Sequence, residues 1–313
     1  MKDTPQQIVP KRRRGKFLSQ WQLFSMLLPA FILVFIFSYL PLAGWILAFN
    51  HYQVGRGLLD AKFVGLDHFK MFFVQSKDFG YLLRNTLSMN FMILILGILL
   101  AMIFAVLVNE ISLKSISKTI QTVSFFPYFL SWVIVYSIAY AFFAPSGGAI
   151  TTVLQNFGLL APGTNILGSN DYAWVLAVGL QIWKSLGYNS VIFLSAISSI
   201  SPEQYESATV DGANRFQKIV HITVPNLIPT MSVLLILNAG WILNSNFDFY
   251  FIFTNPTNWG KMEVLDMYIY NFGLKQSNYS YATAIGMVKT LTSVSLLLFV
   301  NWFSKRTMNR SIF

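Results

Sequence analysis

Residues 203–225 read EQYESATVDGANRFQKIVHITVP. They carry Glu203, Glu206, Asp211, Arg215, Lys218 and His221, and they lie between two long apolar runs. Their local grammar is helix, turn, helix. Ser201 suits an N-cap, Pro202 the first helical position, and Glu203 and Gln204 the positive helix end. Gly212 permits the left-handed turn that closes a helix. A second short helix over about 213–220 follows, and Pro225 and Pro229 mark entry into the next apolar run. The segment predicts a polar helical pair projecting from an apolar body.

The rest of the chain says what that body is. Of 313 residues, 55% are hydrophobic and 11% charged. A soluble domain carries about 25% charged residues, so this chain lacks the polar surface to cover a globule and reads as an all-α integral membrane protein. There is no cysteine, which excludes a disulfide framework and a thiolate metal site. The histidines, His51, His68 and His221, are separated in sequence and adjoin no carboxylate cluster, so no metal centre is expected. The net charge of +10 and the run KRRRGK at 11–16 raise nucleic acid as a partner. Most of that charge lies outside the apolar runs, where it reads instead as a juxtamembrane anchor on anionic lipid. No nucleic-acid partner is expected. The first apolar run is too long for a cleaved signal peptide and ends at no small-residue cleavage site.

A spanning helix needs about 20 mostly apolar residues. Six candidates follow: roughly 22–49, 86–110, 119–143, 171–200, 226–253 and 281–304. The fourth is the least clean, because Gln181, Lys184 and Asn189 interrupt it. The runs are continuous rather than alternating, which excludes a β-barrel. With the N-terminus cytoplasmic, the inner segments hold thirteen Lys and Arg: Lys2, Lys11, Arg12, Arg13, Arg14, Lys16, Lys114, Lys118, Arg215, Lys218, Lys305, Arg306 and Arg310. The outer segments hold seven: Arg56, Lys62, Lys70, Lys77, Arg84, Lys261 and Lys275. That bias puts both termini, and 203–225, on the cytoplasmic side. The chain divides into a basic segment, 1–21, and a six-helix membrane domain, 22–313, with the polar loop at about 201–225. Of the outer loops, 50–85 is expected to contain a short helix near LDHFKMFF. The loop 144–170 has no Lys, Arg, Asp or Glu; it lines a vestibule, docks a partner, or simply lies on the outer surface.

Ionisable residues inside a bilayer are costly and normally face a cavity or a partner. The candidates are Lys184, Asp248 and Lys289. The fifth run is the richest, with Asn238, Trp241, Asn244, Asn246, Asp248 and Tyr250. If it is helical, Trp241, Asn244 and Asp248 share a face. In the fourth, Gln181, Lys184 and Tyr188 share a stripe with Trp183 beside it. Amides and carboxylates that bind hydroxyl pairs, with rings that stack on C–H faces, suit a sugar path. The competing reading ties Lys184 and the asparagines to neighbouring helices, with Asp248 solvated at a span end.

The spacing in the polar loop is specific. ESA, three residues, Gly212, nine residues, Ile222, one residue, then VP closely resembles the EAA loop of bacterial ABC importer permeases, with Ser207 in place of the first Ala and Val224 in place of Leu. The flanking QIWKSLGYNSVIFLSAISSISPEQYESATVDGA resembles the carbohydrate-permease branch, and residues 246–291 resemble the subgroup importing complex oligo- and polysaccharides. The resemblance implies the type I importer permease fold and coupling helices seated in a cleft of a separate ATPase. Glu206, Ser207, Ala208, Gly212, Ile222 and Pro225 are the matched positions. It also implies a second, homologous permease, two ATPase subunits and an extracytoplasmic sugar-binding protein. An oligosaccharide would cross the bacterial plasma (inner) membrane. The chain has no G-x-x-x-x-G-K-S/T loop, so no cofactor is expected in it; ATP and Mg belong to the partners. The alternatives are the same importer class with an amino acid, peptide or polyol as cargo, and an ion-driven transporter or intramembrane enzyme.

Overall fold

The computed structural model describes residues 21–308 apart from Arg56, Leu58 and Leu59; the basic run at 11–16 lies outside the described residues. The helices are α1 (Trp21–Val34), α2 (Asp67–Lys70), α3 (Asp78–Asn109), α4 (Lys114–Phe125), α5 (Trp132–Phe143), α6 (Ala149–Asn156) and α7 (Asn170–Ser198). There follow α8 (Pro202–Val210), α9 (Arg215–Lys218), α10 (Val224–Ala239), α11 (Phe247–Phe253), α12 (Trp259–Met262), α13 (Leu265–Tyr270) and α14 (Tyr279–Met308). A two-stranded antiparallel ribbon pairs β1 (Asn50–His51) with β2 (Lys62–Phe63), Asn50 opposite Phe63.

Among the described residues, four helices are long and apolar enough to cross a bilayer: Phe24–Phe49, Asp78–Asn109, Arg215–Ala239 and Tyr279–Arg306. A fifth span forms if the bent pair Lys114–Phe129 and Trp132–Phe143 is taken together. α7, 29 residues long, has the length for a sixth, but its polar stripe keeps it below the apolarity of the others. The predicted second span starts earlier than expected, at Asp78, so Tyr81, Arg84 and Asn85 lie on its first turns rather than in a loop.

Prolines account for most departures from straight helices. A proline removes one N–H and crowds the carbonyl four residues back. A π-helical turn at Phe35–Tyr39 ends two residues before Pro41, and another at Ile219–Thr223 ends two residues before Pro225; both widen the helix where that crowding arises. The expected straight helix over 119–143 is instead bent by 108°. Pro127 lies in a 3-10 turn, Phe126–Phe129; Leu130 and Ser131 are extended, and the Ser131 hydroxyl accepts from the Ile134 N–H at 3.4 Å to restart the helix as α5.

The centre of the molecule is α3 packed along α7. Gly97, Ala101 and Ala105 give α3 a narrow face, and Phe193, Ile197 and Leu227 fill the space around it. Small residues let helices approach closely where lipid supplies no hydrophobic drive. Gly187 is the tightest point: a Cβ there would fall against the Ser124 carbonyl and 2.6 Å from the Phe125 nitrogen. A second core gathers Met89, Val135, Phe249, Tyr250, Phe253 and Met267 at the opposite end from the polar loop. The outer surface stays apolar, with Met26, Phe31, Phe37, Leu107, Leu298 and Phe303 all exposed, as suits solvation by lipid.

Candidate functional site

Two ends of the bundle differ in chemistry. At one, α8 leaves the body with Ser201 in extended conformation at the N-cap position and Pro202 following, although the Ser201 side chain makes no capping bond. The helix closes at Gly212, whose φ of +80° is strained for any residue with a Cβ. The Gly212 N–H donates to the Thr209 carbonyl at 3.1 Å and the Ala213 N–H to the Ala208 carbonyl at 2.8 Å, a Schellman closure. Asn214 and Gln217 then form a reciprocal capping box, at 2.9 and 2.8 Å, that starts α9. The expected separate second helix runs without a break through α9 into the span Arg215–Ala239.

Three side-chain bonds fold α8 back on that span. The Lys218 ammonium donates to Thr209 Oγ1 at 2.7 Å, the Tyr205 hydroxyl meets that of Thr223 at 3.0 Å, and the Asn226 amide donates to Gln204 Oε1 at 3.1 Å. The pair is therefore held as a unit. Its outward surface presents Glu206, Ser207 and Gly212, with Ala208 and Ile222 half-buried and Pro225 exposed at the span entrance. Beside them stand two apolar side chains that the sequence reading did not single out, Val210 at 88% and Phe216 at 73% exposure. Their signal was an apolar residue on each flank of the turn in an otherwise polar loop.

The fifth span breaks where the sequence predicted one helix over 226–253. α10 ends at Ala239, residues 240–243 form turns, 244–246 are irregular, and α11 restarts at Phe247 with Asn246 as its cap, accepting from the Phe249 N–H at 3.3 Å. A Cβ at Gly240 would collide with Leu297, so close approach of α14 sets this point. The break means that Trp241, Asn244 and Asp248 do not share one helical face. Trp241 is 65% exposed, and Asn244, Asn246 and Asp248 are exposed beside it. Tyr250 points the other way, into the core, its hydroxyl donating to Met89 Sδ at 3.5 Å. The freed backbone is satisfied from neighbouring helices. Asn90 donates to the Ile242 carbonyl at 2.8 Å, and Asp266 accepts from the Ser245 N–H at 2.8 Å while pairing with Lys289. Lys289 is thus engaged within the chain by an acid the sequence reading had not linked to it.

The bend between α4 and α5 is clasped from α7. The Lys184 ammonium donates to the Tyr128 carbonyl at 2.6 Å and lies 5.4 and 5.3 Å from the rings of Tyr128 and Trp132. Tyr128 stacks flat on Tyr188 at 4.2 Å. Trp183 faces outward beside them, and Gln181, one turn away, approaches Tyr250. Asn189 and Asn238 line a cavity of about 130 Å³ between α3, α7 and α10.

The other end is knitted by side chains that the sequence assigned to loops. Asn85 donates to the carbonyls of Gly260 and Glu263 at 3.0 and 3.1 Å, and the Tyr81 hydroxyl donates to Glu263 at 2.6 Å. Burial pushes the Glu263 carboxyl above its usual range, and the bonds from Tyr81 and Asn271 pull it partly back. The short helix expected in loop 50–85 is present as α2. It carries His68, buried and stacked on His51 at 6.1 Å, so two histidines distant in sequence are neighbours. Burial lowers the His68 pKa, partly offset by its bond to the Asn50 carbonyl. No third ligand joins them: among the described residues no group of three or more metal-ligating side chains occurs.

Comparison with known proteins decides the class. Residues 93–309 match the family described as binding-protein-dependent transport system inner membrane component. The chain belongs to that family. Protein LplB of Bacillus subtilis is 35% identical over 97% of this permease and 99% of its own length. The polygalacturonan/rhamnogalacturonan transport system permease protein YteP of the same organism is 34% identical over 97% and 94%. Among solved structures, a chain of a bacterial alginate ABC transporter, in complex with an alginate pentasaccharide-bound periplasmic protein, superposes with a TM-score of 0.86. It is 34% identical, with 96% of this permease and 100% of that chain covered. The permease is a multi-pass protein of the inner membrane.

Proposed function

We propose that this chain is a membrane-spanning permease subunit of a binding-protein-dependent ABC importer for an oligo- or polysaccharide. The observation that carries the reading is the projecting pair α8–α9. It is braced by its own hydrogen bonds, closed at a left-handed Gly212, and presents Glu206, Val210 and Phe216 outward. A solvated loop needs no such bracing, whereas a part that transmits force to another subunit does. In this reading Glu206 meets a cation in the cleft of an ATPase subunit, and the two apolar side chains fill the pocket around it. ATP and Mg reside on two such partners, and a second, homologous permease completes the membrane part. An extracytoplasmic binding protein delivers the saccharide.

In this reading α7 is the sixth span, its polar stripe turned to the transport path, and both termini are cytoplasmic. Irregular backbone is tolerated at membrane depth only where protein or a water-filled cavity covers it. The exposed break at 240–246, about 24 Å along α10 from its start, therefore supports a path lined by Trp241, Asn244, Asn246 and Asp248. The path continues on α7 past Trp183, Lys184 and Tyr188. Two relatives point to the cargo class: YteP is named for polygalacturonan and rhamnogalacturonan, and a solved neighbour is described as importing the acidic polysaccharide alginate. The test is ATP hydrolysis by the reconstituted importer in liposomes, with its binding protein and a panel of saccharides, polyols, peptides and amino acids. Stimulation confined to saccharides is expected; stimulation by another class alone contradicts the cargo assignment.

A further inference from the structure

Lys184, at mid-helix, has no carboxylate in ion-pair range among the described residues. It is central in the 29-residue α7, about 21 Å from either end. Lys289, in the span Tyr279–Arg306, is paired with Asp266, and that is the one ion pair among the described residues. Lys184 has a carbonyl and two aromatic faces instead. An ammonium has three donors, and the Tyr128 carbonyl takes one. The other two have no partner among the described residues, and beside the ammonium lies the parallel Tyr128–Tyr188 stack, two residues that are 40% and 43% exposed. The site therefore offers an ionic anchor next to a flat aromatic platform, on the helix that the importer reading assigns to the path.

We infer that Lys184 is the site that receives the carboxylate of an acidic sugar residue, a uronate, whose ring packs against the exposed part of the Tyr128–Tyr188 stack. A uronate has what this site lacks: an anion for the ammonium and a C–H face for the rings. A neutral sugar leaves the cation uncompensated in a low-dielectric setting. The outer end of α7 repeats the chemistry. Arg84 and Lys261 lie 5.9 and 5.8 Å from the Trp174 ring, again with no carboxylate in ion-pair range among the described residues. That second cationic station is about 15 Å from Lys184 along the helix, so an anionic chain meets positive charge both on entry and in mid-passage.

This inference rests on the saccharide-importer reading, and its test separates the two. The intact importer is reconstituted with its binding protein saturated either by oligogalacturonate or by the same oligosaccharide fully methyl-esterified. Esterification removes charge and keeps ring shape. Uptake and stimulated ATP hydrolysis are measured for the wild type, Lys184→Gln and Lys184→Arg. The wild type is expected to favour acid over ester by about tenfold, the size of one charge-assisted bond. Lys184→Gln should bring the ratio close to one by slowing the acid, while Lys184→Arg keeps most of the preference. A role limited to clasping the Tyr128 carbonyl would slow acid and ester alike, so an assembled Lys184→Gln importer with an unchanged ratio overturns the inference. So does a wild type indifferent to esterification, a result that stands even if Lys184→Gln fails to assemble; in that case Lys184→Met carries the variant arm. If neither form stimulates hydrolysis while another solute does, the saccharide reading falls and this inference with it.

Discussion

Charge reversal at Glu206 combined with proline at Gly212 is expected to leave the permease in the membrane but separate it from its ATPase. The argument has two parts. Gly212 has a φ of +80°, which the proline ring cannot adopt, and proline also removes the N–H that bonds to Thr209. The turn between α8 and α9 must then open and α8 loses its C-terminal closure, while the Asn214–Gln217 capping box still starts α9. Glu206 contributes nothing to the permease's own packing, since it is exposed with no ion pair among the described residues, so its reversal acts only on a partner. Breaking a buried interfacial charge pair costs about 2–5 kcal/mol, or roughly 30-fold to 4,000-fold in affinity. Co-purification of the ATPase and saccharide uptake should both fall by at least that lower factor, with permease abundance unchanged. Unchanged assembly and uptake would falsify the coupling role.

Gly187→Val is expected to cause a large loss of stability. A Cβ there meets main chain, not a movable side chain: the Ser124 carbonyl and the Phe125 nitrogen. α7 must shift away from the α4–α5 bend, which also pulls Lys184 off the Tyr128 carbonyl and unstacks Tyr188 from Tyr128. Overpacking costs about 1–3 kcal/mol even where side chains can yield, and backbone cannot. A melting temperature in detergent lower by about 5 °C or more follows, with loss of uptake. Gly179, on the same helix, has nothing within 4 Å of an added Cβ. Gly179→Ala should therefore leave both melting and uptake unchanged, and equal effects at the two glycines would contradict the packing account.

Much of this was legible in the sequence because local rules decide it. The ends of α8, the turn at Gly212 and the start of α9 follow from caps and one glycine, and these act within a few residues. The α2 helix and the long apolar α3 were legible for the same reason. The breaks were not. Pro127 signals a possible stop, but the 108° bend also needs Lys184, 56 residues away, to satisfy the carbonyl it frees. The fifth-span break depends on Asn90, Asp266 and Leu297, each remote in sequence. Periodicity could not report it, so Trp241, Asn244 and Asp248 read as one face, and Tyr250 reads as a path candidate although it belongs to the core. The network of Tyr81, Asn85 and Glu263 escaped notice because a composition window treats the first turns of α3 as loop.

The absence of cysteine from the chain makes one measurement especially direct. With Ser207→Cys as the sole thiol, a membrane-impermeant maleimide is applied to intact spheroplasts and to inside-out vesicles, with and without the ATPase subunits. The account predicts labelling only from the cytoplasmic side, and strong protection once the ATPase is assembled. Labelling from the outer side, or cytoplasmic labelling that the ATPase leaves unchanged, would contradict the claim that this polar segment is the contact through which ATP hydrolysis drives transport.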